Sequence, residues 1–476
     1  MKQIKIGLLP LYLELYDRIS PPEKRKPLEA FYASIADVFR RKGLEVIESG
    51  ICRLQPEFSA AIKKFETAQV DAIVTLHLAY SPSLESAEAL ARTRLPVIVL
   101  DTTPDYDFSP AQSPDKIMFN HGIHGVQDMC NLLIRNGKTY LIEAGHWQNS
   151  DVLARVIARS RAARIASSFR RSRVGQIGKS FAGMGDFSVP ANVLKNELGI
   201  RSIPCDCRVL SRACSSISEH DLDLEIKNNR MNFAVRPGIE KAHRRSARVG
   251  LAVRRWLEQE KLTAFTVNFM DVTRSSGLPT VPFLEAGLGM ARGIGYAGEG
   301  DVLTAALVGA LASGFPETTF TEMFCPDWKG QSIFLSHMGE VNPRLLSGKP
   351  ALAEYPFIFG EVENPVKAVG CLRRGKAVFV NLAPLPGDQF RLILSPVTIK
   401  AVKKGADRFS DTVRGWMKPR VKISDFLADY SRAGGTHHAA LVYNADMNIL
   451  SGFGKLMGWE TVVIESSRGS MFTVHR

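Results

Sequence analysis

A chain of 476 residues is too long for one typical hydrophobic core, so two or three domains are expected. Hydrophobic residues at 45% and charged residues at 23% are those of an ordinary globular protein, and no apolar stretch approaches membrane-spanning length. The formal net charge of +13 is less ordinary and raises nucleic acid, a membrane surface or an anionic ligand as partners.

Seven cysteines (Cys52, Cys130, Cys205, Cys207, Cys214, Cys325 and Cys371) are scattered and odd in number. Cys205-Asp-Cys207 fits neither redox nor zinc-knuckle spacing, so a reducing cytoplasm is expected. The opening MKQIKIGLLPLYLELY is broken by Pro10 and Glu14 and lacks a small-residue cleavage site, so it reads as a strand and loop.

The first third alternates two periodicities. Ile4–Leu9, Leu44–Glu48, Ala72–Leu76 and Pro96–Leu100 are short apolar strands, separated by helical patterns at Pro27–Lys42, Glu57–Ala68 and Leu84–Thr93. Such alternation predicts a parallel sheet covered on both faces, with ligands near the carboxyl ends of its strands. After the arginine-rich helix Val152–Phe169 a second unit begins near Arg170. It carries a strand at Val174–Ile177, a helical stretch near Val193–Leu198, helices at Leu222–Asn229 and Ile239–Gln259, and an inner strand at Ala264–Asp271. Beyond Phe315, β-rich runs at Ser332–Ser336, Phe357–Phe359, Ala368–Leu372, Ala377–Leu382 and Phe390–Ser395 alternate with Gly and Pro signals. Helical Asp446–Met457 and strand Glu460–Ile464 close the chain. The expected architecture is α/β: two doubly wound domains with parallel sheets (residues 1–169 and 170–315), then a β-rich, barrel-like domain (316–476).

The chemistry-bearing residues follow Gly293. Glu299 stands in YAGEGD between Gly298 and Gly300, which permit unusual backbone angles and close approach. Asp301 lies near the N-cap of the helix that follows. Glu322 follows β-formers in TTFTEMF, His337 lies in the apolar run FLSHMGEV, and His437 and His438 follow the turn glycines Gly434 and Gly435. Taken singly, each is a solvated glutamate or a hydrogen-bonded core histidine. Taken together, acids and imidazoles in apolar settings are costly unless they share a cation. From spacing alone, a metal centre and scattered structural residues stand as alternatives.

YAGEGDVLTAAL, TEMF, LSHMGEV and AGGTHH resemble the successive active-site motifs of the L-arabinose isomerase family, in the same order and at similar separations. FNHGIHG (119–125), AGHWQ (144–148) and AFTVNF extend the resemblance over most of the chain. The related L-fucose isomerases use Asp as second carboxylate and a single histidine, so Glu322 and the two adjacent histidines favour the arabinose side. The resemblance implies that Glu299, Glu322, His337 and His438 hold a divalent metal, usually manganese and sometimes cobalt, with Glu299 and Glu322 doubling as the acid–base pair. It places His437 beside the sugar, sends His124 to a neighbouring subunit's site, and lines the pocket with Tyr12, Met184, Phe269 and Phe324. It also implies a homohexamer with sites at subunit boundaries. Three departures stand out: Glu322-Met323-Phe324 where the family commonly has Glu-Asp-Tyr, Gly7–Leu13 without the family's Gln and His, and His121 in place of Gln. They point to a sugar other than arabinose.

Two rival readings follow from the charge. Arg155, Arg159, Arg161, Arg164, Arg170, Arg171 and Arg173, with Arg244, Arg245, Arg248, Arg254 and Arg255, could form a nucleic-acid stripe, but they lack the interleaved aromatics that stack bases. A solvated basic face or subunit contacts are the plainer explanation. An anionic sugar drawn in by the positive field is the other possibility. Gly175-Gln-Ile-Gly178-Lys179-Ser180 is no P-loop, since Arg173 occupies the position of its first glycine.

Overall fold

The computed structural model describes residues 3–402, 405 and 407–465. The chain forms two compact units, one built from the chain up to Ser167 with Asn448–Gly458, the other from Ser168–Met447 with the chain from Trp459 onward.

In the first unit, β1 (Lys5–Leu11), β2 (Glu45–Glu48), β3 (Ala72–His77), β4 (Val97–Asp101) and β5 (Leu141–Ala144) form one sheet in the order β2-β1-β3-β4-β5. Every pairing in it is parallel. The continuous apolar runs of β1, β3 and β4 are buried on both faces, as a helix-covered parallel sheet requires. Helices Lys26–Arg41, Gln55–Thr67, Ser83–Arg92 and Gly122–Arg135 lie between the strands in sequence. Leu9, Phe58, Phe65, Val97, Val99 and Met129 fill the core on one side. The alternation expected from the sequence is therefore present. β5 escapes a run-based reading because its LIEA alternates between buried and exposed positions.

The second unit opens with β6 (Arg173–Ile177), β7 (Arg201–Pro204), the two-residue β8 (Ala234–Val235), β9 (Ala264–Val267) and β10 (Gly295–Gly298). Four of these pair in parallel in the order β10-β9-β6-β7. The strand expected over Ala264–Asp271 ends at Val267, because the Asn268 side chain accepts from Met270 N and turns Phe269–Asp271 into a 3-10 helix.

The remaining strands are β11 (Thr318–Asp327), β12 (Ser332–Ser336), β13 (Ala351–Glu354), β14 (Val366–Cys371), β15 (Gly375–Leu385), β16 (Gln389–Ile399), β17 (Val413–Pro419), β18 (His438–Tyr443) and β19 (Glu460–Val463). β16, β15, β18, β11, β12 and β17 pair in sequence, and β17 returns to β16, closing an antiparallel barrel. Closure removes the exposed edges that an open sheet would carry. β14, β13 and β8 extend the barrel wall beyond β17. The β-run expected at Phe357–Phe359 is not a strand. Phe357 is buried there by ring packing against Phe269 and Phe283, which accounts for its apolar character without a ladder.

The arginine-rich helices are laced with carboxylates. Arg155 and Arg159 both bind the buried Glu143 at 2.6 Å, and Arg164 binds Asp71 at 2.9 Å. Arg244 and Arg248 share Glu219, Arg245 meets Glu363, Arg254 bridges Glu225 and Glu285, and Arg255 meets Asp221. A guanidinium already forked onto a carboxylate is less available to phosphates, which favours internal ion pairing over a nucleic-acid stripe for these arginines. No helix among the described residues is long and apolar enough to cross a membrane.

At the end of β3, His77 is 3% exposed, and neither ring nitrogen has a hydrogen-bond partner. Gly122 and Gly125 pack against it so closely that a Cβ on Gly125 would lie 2.4 Å from the ring. Burial disfavours the imidazolium and lowers the pKa to about 3. On acidification the unfolded chain takes up this proton first, near pH ~6.5, so stability falls by up to ~1.4 kcal/mol per pH unit between the two values. His77→Leu should therefore gain on the wild type in urea midpoint as pH is lowered from about 6.5 towards about 4. A midpoint difference that does not change with pH would show that His77 is not the group responsible.

Candidate metal centre

The barrel register creates the core of the site. Glu322 on β11 lies directly opposite His438, the first residue of β18, and opposite Ser336 at the end of β12. Opposed residues on antiparallel strands project to the same face, so Glu322 and His438 meet without any loop to guide them. His437 and His337 each stand one residue outside a strand, before β18 and after β12 respectively.

Glu299 comes from the parallel sheet. It follows β10 and adopts a left-handed backbone, φ 62°, which is uncommon for a side chain of this size. Its N–H donates to Val267 O at 2.8 Å and its carbonyl accepts from Phe181 N at 2.9 Å, so the conformation is held at both ends. The flanking glycines have separate reasons. A Cβ on Gly298 would lie 2.9 Å from the His337 ring, and Gly300, at φ 81°, would meet the Lys179 carbonyl at 2.5 Å.

Glu299, Glu322, His437 and His438 each offer a ligand atom within 4.8 Å of the others. His438 Nε2 lies 2.9 Å from Glu322 Oε1 and 3.4 Å from Glu299 Oε2, and His437 Nε2 lies 3.5 Å from Glu299 Oε2. His337 joins from the barrel side, with Nε2 3.2 Å from Glu322 Oε1. It is not one of the four mutually close residues.

Each imidazole is held from behind. His438 Nδ1 donates to Asp301 Oδ2 at 2.9 Å, His337 Nδ1 to Glu340 Oε2 at 2.7 Å, and His437 Nδ1 to Asp186 Oδ2 at 2.7 Å. With Nδ1 committed, each ring turns Nε2 towards the glutamates, which is the second-sphere arrangement of metal-binding histidines. Asp301 also holds a helix end, since its Oδ1 accepts from Thr304 N at 2.8 Å and caps Val302–Gly314. Glu340 is fixed in turn by the Tyr296 hydroxyl at 2.9 Å. Aromatic rings dry the site. Phe187 stacks on His438 at 4.9 Å and 8°, and Phe320 presents an edge to both His337 and His438.

The electrostatics are those of a centre short of positive charge. Burial opposes ionisation of Glu299, but His437 and His438 outweigh it and hold the carboxyl at about 2. Burial likewise opposes ionisation of Glu322, and His337 and His438 hold it well below the usual range. His337, which burial would push down, is raised to about 10 by Glu340 and Glu322. A nitrogen at the heart of the site has no hydrogen bond: His438 Nε2 is fully buried and, although close to both glutamates, bonds to neither. Two carboxylates and a buried imidazole nitrogen converging on one point form a ligand set for a divalent cation, which would replace the protons the rings otherwise hold. The residues present thus fit a metal.

The other residues singled out from sequence lie as follows. Met184 is partly buried in the irregular segment between β6 and the helix Ala191–Asn196. Phe269 is buried in a ring cluster with Phe181, Phe283, Phe357 and Phe359. Phe324 sits at a register shift between Met323 and Cys325 and is 48% exposed. Tyr12 and His124 belong to the first unit, where Tyr12 is buried against Tyr16 and exposed His124 shares a 2.7 Å hydrogen bond with His121.

Residues 196–313 match the L-arabinose isomerase central domain, and residues 317–460 match the L-arabinose isomerase C-terminal domain. The chain belongs to the L-arabinose isomerase family. Relatives named L-arabinose isomerase agree with this along most of its length. That of Geobacillus thermodenitrificans is 29% identical over 83% of this chain and 81% of its own. That of Acidothermus cellulolyticus is 26% identical over 88% of this chain and 84% of its own. The Bacillus licheniformis L-arabinose isomerase 1 is 27% identical over 88% and 87% respectively. The enzyme class expected from the sequence, a sugar isomerase, is the class of this family.

Sequence reasoning misses the supporting carboxylates. Glu340, three residues after His337, is open to a search for an acid near each histidine, and Asp301 shows in sequence only as a cap. Asp186 and Phe187 carry no local signal, since His437 lies 251 positions beyond Asp186 and His438 is similarly distant from Phe187.

The raised histidines give the centre a measurable signature. Protons held on His337 and His438 must leave before a cation can bind, so manganese uptake should release protons and its apparent affinity should rise between about pH 6 and about pH 8. Calorimetry in buffers of different ionisation enthalpy reads both effects. An affinity independent of pH, with no proton release, would exclude the imidazoles as ligands.

Proposed function

We propose that the protein is a cytoplasmic, metal-dependent aldose–ketose isomerase, working on a pentose or hexose through an enediol and using manganese, or cobalt, as its ion. The observation that carries this reading is the convergence of Glu299 and Glu322 on imidazoles whose outer nitrogens are already taken by carboxylates. Glu299, Glu322, His337 and His438 would hold the ion. His337 and His438 are chosen because both are buried and both direct Nε2 to Glu322, whereas His437 is half-exposed and makes the longest approach. A divalent ion in that position supplies polarisation of the sugar carbonyl, which acidifies the neighbouring C–H bond.

The chain's own groups then move the protons. Both glutamates are ionised at neutral pH, so either can accept the proton from one sugar carbon and return it to the next. The other glutamate shifts the proton between the two hydroxyl oxygens, and atoms balance because the substrate and product are isomers. The two carboxylates titrate as a coupled set, so the roles belong to the pair. His437, with its outward position, meets the sugar.

Met323 packs against the barrel core and Phe324 is half-exposed at the bulge, so the stretch after Glu322 offers the sugar no carboxylate or phenol. We infer a sugar preference different from that of the L-arabinose isomerases, to be read by screening aldoses and ketoses with manganese. The family resemblance further supports a homohexamer in which His124 of one subunit reaches the pocket of another, with Tyr12 among the residues that line the sugar.

Glu299→Gln and Glu322→Gln should each lower kcat by about 10³-fold or more with unchanged circular dichroism. Chelation should abolish turnover and added manganese restore it. Near-normal isomerisation by either variant, or full activity after metal removal, would defeat this assignment. In solution, light scattering should show an assembly larger than a monomer, and a fully active monomer would rule out pockets shared between subunits.

A further inference from the structure

The segment between β6 and the helix Ala191–Asn196 has no regular structure, yet it is fastened at several points to the residues that build the centre. Phe181 N donates to Glu299 O at 2.9 Å and Ser180 Oγ to Gly300 O at 3.1 Å, while Lys179 N is held by Asp271 Oδ2 of the 3-10 helix at 2.7 Å. Further on, Phe187 lies flat on His438. Between these anchors stands Asp186, which turns one oxygen twice on a single residue: Oδ2 accepts from His437 N at 2.9 Å and from His437 Nδ1 at 2.7 Å.

The three carboxylates behind the imidazoles are not equivalent. Asp301 and Glu340 have fully buried side chains and serve other partners as well, a helix N-terminus and a tyrosine hydroxyl. The Asp186 and His437 side chains are 39% and 38% exposed. A pair at the solvent boundary contributes little to folding stability. Orienting one imidazole is what its geometry accomplishes.

We propose that Asp186 is a positioning residue: it fixes the ring of His437 with Nε2 on the open side of Glu299, where it meets an oxygen of the sugar rather than serving as a metal ligand. This rests on the isomerase reading of the same centre. With both the backbone N–H and Nδ1 of His437 held by one oxygen, the ring loses rotation about its side-chain bonds. Nε2 is then the only ring nitrogen available to a substrate hydroxyl. Pre-ordering a contact of this kind is worth most when the bound sugar must be aligned for proton transfer.

The test compares Asp186→Ala with Asp186→Asn, which keeps an acceptor oxygen in place. Three quantities are read: manganese affinity by calorimetry, binding of a pentitol to the manganese-loaded protein, and kcat and KM. Asp186→Ala should weaken pentitol binding by about 10-fold and lower kcat/KM by about 100-fold, with manganese affinity within about twofold of the wild type. Asp186→Asn should recover most of the loss. Unchanged pentitol binding in Asp186→Ala would overturn the proposal. So would a loss of manganese affinity as large as that of Glu322→Gln, since His437 would then be a metal ligand. A wild type that binds manganese and pentitol without turning over any sugar would instead defeat the isomerase reading, while the pentitol comparison still decides the role of Asp186.

Discussion

Three rings can face one centre only because three acids grip them from outside. An imidazole can offer either nitrogen to a ligand; Asp301, Glu340 and Asp186 occupy Nδ1 of His438, His337 and His437 and so leave Nε2 for the centre. The rest of the architecture serves this constraint. The barrel register sets Glu322 against His438, the parallel sheet delivers Glu299 on a left-handed turn, and buried phenylalanine rings keep water from competing for the exposed lone pairs. A low-dielectric surround strengthens each of these contacts and makes each unmatched charge expensive, which is why a cation would suit the site.

Some of this is open to reading from residues alone. Alternating strand and helix periods in the first third predict a parallel sheet because β1, β3 and β4 are buried on both faces and therefore read as unbroken apolar runs. The glycines around Glu299 point to a special backbone, and Glu299 indeed takes the positive φ itself. Barrel closure is less legible. β17 pairs with its neighbour in sequence β16 but also with the distant β12, and no local pattern encodes that second edge. Phe357–Phe359 misleads because aromatic residues favour strands and ring clusters alike, and here the ring cluster wins. The acids behind the histidines are hidden for a related reason: an aspartate that caps a helix and one that orients a ring look the same until the partner is brought in by the fold.

The excess of positive charge also reads differently once partners are visible. A run of arginines along a helix suggests a polyanion, but Arg155, Arg159, Arg244, Arg248 and Arg254 are forked onto glutamates and aspartates from neighbouring elements. Their charge is matched within the protein, joining helices to the sheets and helices they pack against. Net charge describes the composition correctly and the function poorly, since it carries no information on which cations already have partners.

Asp301 joins two events that are usually independent. One oxygen terminates the helix Val302–Gly314 and the other sets the angle of His438, so the first turn of that helix and the imidazole cannot relax separately. That turn is buried throughout, Asp301 included, so it opens only when its surroundings do, and the angle of the ring is as durable as the helix that sets it.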